Sequence, residues 1–315
     1  MTITSFFKLV ELRTKVASVI PYAIGTLYAY YRFDNFILEN FLLMLVSLLA
    51  IDMATTAINN WQDYIKAKIR HGYGYESHNA ITAYAMDIRI VKAAIAILLI
   101  IAAAFGFLLY LMTDLTVLAV GVLSFIAAAA YSMGPLPISR TPFAELLSGG
   151  FMGYVIPFLA VYIQTVGNAP AFIALDGWRL VAEMDILESF YLLLVAMPAI
   201  AGIFNIMLAN NICDMEEDLK NGRYTFPIMA GKRKALIVYR LLYASGFIAM
   251  IAALALGLIP PVCALALLTA APVWKNIGKF MNKQTKAETF ATAVMNFVLV
   301  NSSLAVTLAL GIVLP

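Results

Sequence analysis

Apolar residues run through this chain in blocks of about twenty, each closed by a short polar stretch. A helix needs roughly 20 apolar residues to cross a bilayer. About nine blocks meet that length, near 14–33, 38–60, 91–112, 115–133, 145–166, 189–210, 235–257, 259–276 and 288–313. The pattern predicts an all-α, polytopic transmembrane helical bundle, read as one integral membrane domain over 1–315. The eighth block is short and opens at Pro260-Pro261. The third is rich in alanine, which permits close helix contact. The fourth stops at Gly134-Pro135-Leu136-Pro137, and two prolines cannot continue a helix. Glu145 opens the fifth, followed by the small residues Ser148, Gly149, Gly150 and Gly153. The stretch from about 167 to 188, with Trp178, is acidic and reads as a solvated connector. Lys8, Glu11, Arg13 and Lys15 read as an amphipathic lead-in to the first span, with no cleavable signal peptide.

Composition agrees with the pattern. Of 315 residues, 63% are hydrophobic and 12% charged, and the mean hydropathy is +0.89. So few charges could not cover a soluble surface of this size. With the N-terminus in the cytoplasm, only Arg32 and Arg179 of the 21 Lys and Arg fall on the far side. That asymmetry places the N-terminus and the basic loops inside, as in a bacterial-type plasma membrane. The net charge of +3 is therefore explained by topology and implies no nucleic acid. Cys213 and Cys263 are too few for a disulfide framework or a zinc site.

Chemistry concentrates at two block ends. The sixth closes in Asn210-Asn211-Ile212-Cys213-Asp214-Met215-Glu216-Glu217-Asp218. On a helix Asn210, Asp214 and Asp218 share one face. Aligned oxygens suit a hard cation such as Mg2+, which takes a few carboxylates together with a substrate phosphate. Lys220, Arg223 and the cluster at 232–234 follow and can meet the rest of a phosphate's charge. The second block ends in the same way, with Asn59-Asn60 and then Asp63, trailed by Lys66, Lys68 and Arg70. The repeat divides the chain into pseudo-halves of about 1–140 and 141–315, and such folds often place a site between halves. Asp52 lies two turns deeper than Asn59 on the same face. A buried acid there is either functional or a hydrogen-bonding link to a neighbouring span. Arg13 reads as an inner-leaflet anchor or a phosphate contact, and Tyr131 as an interfacial tyrosine or a pocket residue. Arg140 follows the fourth block, and Asn79 closes a polar, aromatic loop able to cover a pocket.

In these motifs the sequence resembles the UbiA superfamily of intramembrane aromatic prenyltransferases. The second motif, through Gly222-Arg223-x-Thr225, and the opening Leu9-Val10-Glu11-Leu12-Arg13-Thr14-Lys15 look most like the branch that prenylates 1,4-dihydroxy-2-naphthoate for menaquinone. The resemblance implies a nine-helix bundle around a cavity open to lipid, in which two Asp-rich motifs hold Mg2+ and the diphosphate of a polyprenyl donor. It assigns the metal to Asn59, Asn60, Asp63, Asn210, Asp214 and Asp218. The diphosphate falls to Arg13, Lys66, Lys68, Arg70, Arg140, Lys220 and Arg223, and the acceptor side to Tyr131 and Asn79. Asp63, Asp214, Asp218 and Asp52 are the acids expected to carry the chemistry. The first motif departs from the family pattern, which has Asp at the position of Asn60 and another four to six residues after Asp63. Here those later positions hold Ala67 and Ile69.

The implied partners are a polyprenyl diphosphate, a dihydroxynaphthoate-like aromatic acceptor and the lipid bilayer. In that branch the new carbon bond forms with loss of the acceptor's carboxylate. Other acceptors (4-hydroxybenzoate, homogentisate, haem) and terpene cyclisation suit the same scaffold. A secondary transporter is the alternative from another class. It usually needs helices broken at mid-membrane, whereas both motifs here lie at helix ends.

Overall fold

The computed structural model describes residues 1–66, 79–134, 136–166 and 171–314. A short helix, α1 (Ile3–Leu9), opens on a capping box in which the Thr2 and Ser5 side chains satisfy each other's backbone. A 3-10 turn (Leu12–Lys15) leads into α2 (Val16–Phe33) and then α3 (Leu38–Lys66). The single turn α4 (Ala80–Ala83) precedes α5 (Ile88–Met112) and α6 (Leu115–Ser132). Next come α7 (Ala144–Gly150), a π-helical turn (Phe151–Val155) and α8 (Ile156–Tyr162), which together form one span. After strands β1 (Ala171–Asp176) and β2 (Arg179–Met184) the chain enters α9 (Ile186–Cys213). Two short helices follow, α10 (Met215–Lys220) and α11 (Phe226–Ala230), then α12 (Lys232–Ala255), α13 (Ala270–Asn282) and α14 (Phe290–Val313).

Among the described residues, seven helices are long and apolar enough to cross a membrane. The other two predicted spans exist in altered form. The first is α2, whose tyrosines and Arg32 lower its hydropathy. The eighth begins as a 3-10 helix (Pro261–Thr269) before α13. Prolines 260 and 261 stop a regular start there, and α13 then buries only the stripe Val273, Ile277 and Phe280. Helix α9 is the axis of the bundle: 61% of its apolar window is buried, against 17–44% for the other six. It packs on α12 and α14 on one side and on the 144–162 span on the other, while α3 pairs with α5.

Small residues bring α9 and the 144–162 span together. A Cβ at Gly153 would sit 2.4 Å from the Ile200 Cα, and one at Gly149 would sit 3.1 Å from the Phe204 Cβ. Gly150, between them, faces open space. The connector near 167–188 is not a featureless loop. β1 and β2 form an antiparallel hairpin with Leu175 opposite Leu180 and Asp176 opposite Arg179. Gly177 takes φ +58 at the first position of the two-residue turn, where type II′ hairpins require glycine. The acidic residues of the segment had masked its alternating apolar pattern.

Gly153→Ala is expected to lower thermal stability in detergent by about 1–3 kcal/mol through overpacking against Ile200. Gly150→Ala serves as the control and should leave the melting temperature unchanged. Equal melting temperatures for both variants would show that this helix contact is not tight.

Candidate active site at the paired helix ends

The second motif is built by a nearly continuous helix. Asp214 caps α9 and its N–H still donates to the Asn210 carbonyl (3.1 Å), while the Asp218 N–H donates to the Asp214 carbonyl (2.8 Å). These i to i+4 bonds carry the helical path across Asp214, whose own backbone leaves helical values (φ -99, ψ 7). Helix α10 then ends in a Schellman turn: Gly222 has φ +68, and the Arg223 N–H reaches back to the Asp218 carbonyl at 2.8 Å. The turn needs a residue free to adopt positive φ, which glycine supplies. Its consequence is electrostatic, because it swings the Arg223 guanidinium onto the Asp218 carboxylate (Nε to Oδ1 3.2 Å). Thr225 sits on the other Asp218 oxygen at 3.5 Å.

Each carboxylate of this motif is met differently. Asp214 pairs with Lys286 at 2.5 Å, a cation from the segment before α14 that sequence reasoning passed over. Asp218 is only 3% exposed. Burial pushes its carboxyl up to about 6, with Asp214 and Glu217 adding to the rise and Arg223 and Lys286 opposing it. Asn211 turns away from this face and donates to Glu145 (Nδ2 to Oε1 2.8 Å). Glu145 is fully buried, its second oxygen has no hydrogen bond among the described residues, and the charges of Asp218 and Arg223 both act on it. It was also missed from sequence. Its only signal was an acid at the very start of an apolar block.

The first motif lies at the end of α3. The Asn59 side-chain oxygen accepts a hydrogen bond from Ser132 at the end of α6. The neighbouring Tyr131 donates its hydroxyl to the Met207 sulfur (3.7 Å). The last residues of α6 thus bridge the two helix ends. Asn60 leaves this group. Its amide nitrogen faces the Leu9 carbonyl (3.2 Å) and Glu11 (3.3 Å), and its oxygen accepts from the Ala80 N–H (3.3 Å). Asn79 caps α4, accepting from the Ile81 and Thr82 N–H groups and donating to the Asn60 carbonyl at 2.8 Å. Both amides hold the chain around α4.

Asp52 is likewise engaged elsewhere. Lys15 reaches its Oδ1 (2.5 Å) and Ser18 its Oδ2 (2.6 Å), so the acid ties α3 to the start of α2. Lys15 is 4% exposed, while its neighbour Arg13 points outward. Arg140 ends a 3-10 turn (Ile138–Arg140) that docks on the second motif: its carbonyl accepts from the Tyr224 N–H (2.9 Å), and Arg223 donates to the Ser139 carbonyl (3.2 Å). Lys220 closes α10 and Lys66 closes α3. Lys68 and Arg70 lie outside the described residues.

The charged ends of α3 and α9, bridged by Tyr131 and Ser132, mark a polytopic membrane protein whose polar groups gather at these helix ends. The UbiA prenyltransferase family model matches residues 18–301, and the chain belongs to that family of membrane transferases. It is 28% identical over 262 residues to the 1,4-dihydroxy-2-naphthoate octaprenyltransferase of Bacillus subtilis (strain 168), covering 81% of this chain and 75% of that protein. A UbiA homolog from Aeropyrum pernix K1 superposes with a TM-score of 0.68 at 18% identity, over 95% of this chain and 96% of the other. A UbiA homolog from Archaeoglobus fulgidus, solved bound to DMAPP and Mg2+, superposes at 0.62 and 13% identity over 97% and 99%.

Two outcomes follow from the geometry. Removing one member of a buried ion pair strands the other, at about 3–5 kcal/mol. Lys15→Met should therefore destabilise the protein by that amount in detergent unfolding, and Lys15→Met with Asp52→Leu should recover most of it. A double variant that is stable yet inactive would move Asp52 into the chemistry. For Asp218 the sign runs the other way, because its folded value of about 6 lies above the ordinary 3.8. Ionisation costs the folded state up to about 3 kcal/mol, a cost fully present above pH 6 and absent below pH 4. Asp218→Asn should therefore raise the melting temperature at pH 8, lose that advantage by pH 4, and abolish turnover.

Proposed function

We propose that the chain transfers a polyprenyl group from a prenyl diphosphate to 1,4-dihydroxy-2-naphthoate, in menaquinone biosynthesis. The reading is carried by the convergence at the end of α6, where Ser132 meets Asn59 at the end of α3 and Tyr131 meets Met207 of α9. The name of the Bacillus relative supports the acceptor. The DMAPP and Mg2+ of the Archaeoglobus homolog support the donor class and the metal.

Among the described residues, no three His, Cys, Asp or Glu side chains gather into a cage able to hold a metal unaided. Mg2+ is usually held by one or two carboxylates together with substrate phosphates, and each helix end offers that many. Asp63 on one side and Asp214 and Asp218 on the other would hold it, with Asn59 and Asn210 as neutral oxygen donors. When bound, the metal supplies Lewis-acid stabilisation of the charge that develops on the departing diphosphate.

The chain's own residues do the rest. Lys286 and Arg223, which pair with Asp214 and Asp218 here, would be the cations available to the diphosphate when those carboxylates hold the metal. Arg140 and Lys220 stand beside them. The bond between the allylic carbon and the diphosphate oxygen breaks, and the electron pair leaves with the diphosphate. A ring carbon of the acceptor forms the new carbon–carbon bond and releases its carboxylate as carbon dioxide. Tyr131 presents a ring that stabilises positive charge at the allylic carbon through its π face. Met207 begins the apolar wall that keeps water from the reacting carbon. Both helix ends face the cytoplasm in this reading, the side that gathers the basic residues.

The test is product formation by purified protein in detergent, given a long-chain prenyl diphosphate with and without Mg2+. The naphthoate and 4-hydroxybenzoate are offered in separate reactions. The expected result is Mg2+-dependent prenylation of the naphthoate, reduced on the order of 100-fold by Asp214→Ala, at least the loss seen when groups supporting a metal are removed. Diphosphate release with no prenylated naphthoate would overturn the acceptor assignment.

A further inference from the structure

We propose that the β1–β2 hairpin, at the opposite end of the bundle from the paired carboxylates, is a lipid-binding element that lies in the membrane interface and inserts Trp178. The pairing register sorts its side chains cleanly. Opposed residues in an antiparallel pair share a face, so Ala171, Ile173, Leu175, Leu180, Ala182 and Met184 lie together. That face is wholly apolar. The other carries Asp176, Arg179 and Glu183 among Phe172, Ala174 and Val181. Within the protein the apolar face is largely uncovered: Leu175 is 66% exposed, Leu180 67% and Met184 61%, and Trp178 at the turn is fully exposed.

What covers this face follows from where the hairpin is tethered. β1 is held at the level of the helix ends by Thr116, in the first turn of α6, whose hydroxyl accepts from the Ile173 N–H at 2.9 Å. β2 runs into α9 with only Asp185, the helix cap, between them. The first turns of α9 present Ile186, Leu187 and Phe190 as exposed apolar side chains. In a membrane bundle these belong to the lipid-facing belt, and the hairpin face continues that belt directly. Its strands are roughly 20 Å long, so the tip lies well out from the bundle. A two-stranded hairpin is marginal in water, and an open apolar face at its edge would invite aggregation. Lipid against one face and water against Asp176, Arg179 and Glu183 satisfies both sides at once. Tryptophan at the tip is the side chain that interfacial belts favour, apolar in body with an N–H for the wet side.

The experiment uses the full chain reconstituted in vesicles of phosphatidylcholine brominated near the top of the acyl chains. Trp178 emission is isolated as the difference between the native protein and Trp178→Phe. The expected result is that brominated lipid quenches most of the Trp178 signal and aqueous iodide little of it. Leu175→Asp with Leu180→Asp should reverse the two quenchers while leaving the prenyl transfer rate unchanged. A Trp178 signal open to iodide and untouched by bromine would overturn the proposal. So would one shielded from both quenchers at high protein-to-lipid ratio only, since that face would then contact a second copy.

Discussion

Charge compensation at the end of α9 is the constraint on which the rest of this molecule depends. The most buried span of the bundle ends in four carboxylates within five positions, beside an apolar interior where unpaired charge is intolerable. Each compensating cation comes from a different part of the chain. Arg223 is delivered by the Schellman turn that Gly222 permits, and Lys286 by the segment that precedes α14. The loop after α6 closes over the same turn through Arg140 and Ser139. Holding these carboxylates therefore requires α6, α9, α10 and α14 in register, and the register that neutralises the acids also assembles the site.

This arrangement buries acids at a cost to stability. Asp218 is kept in surroundings that disfavour its charge, and Glu145 is buried with one oxygen unbonded among the described residues. A core built for stability alone would carry neither. Arg223 offsets part of that cost at Asp218, and Lys286 pairs with the neighbouring Asp214. The Asp52–Lys15 pair is a different kind of feature. It sits away from the bridged helix ends, with one acid oxygen met by Lys15 of the 3-10 turn and the other by Ser18 of α2, and it ties the start of the first span to α3.

The two ends of the bundle divide the work. At one end polar side chains converge and backbone turns are used to aim cations. At the other, the chain between α8 and α9 forms a short hairpin whose exposed residues are apolar on one face. The 28 residues of α9 separate them by about 40 Å at the helical rise. Lipid contact at the hairpin can therefore orient the bundle without disturbing the carboxylates.

Much of this was legible from local pattern. Apolar blocks of bilayer length announced the helices, because a spanning segment must satisfy its own backbone. The spacing of Asn210, Asp214 and Asp218 placed three oxygens on one face, because helical periodicity is a local property. The small residues near 149 and 153 signalled a close helix contact. What sequence could not supply were long-range pairings. Asn59 and Asn60 are adjacent and chemically identical, yet one meets Ser132 and the other packs around α4. One step along a helix turns a side chain through about 100° toward a different neighbour. Lys286 and Glu145 carried no motif, and their roles exist only because α14 and α7 bring them to α9. The sequence determined which segments cross the membrane and which helix ends are acidic. The tertiary structure alone decided which cation faces which acid, since that choice depends on packing between residues far apart in the chain.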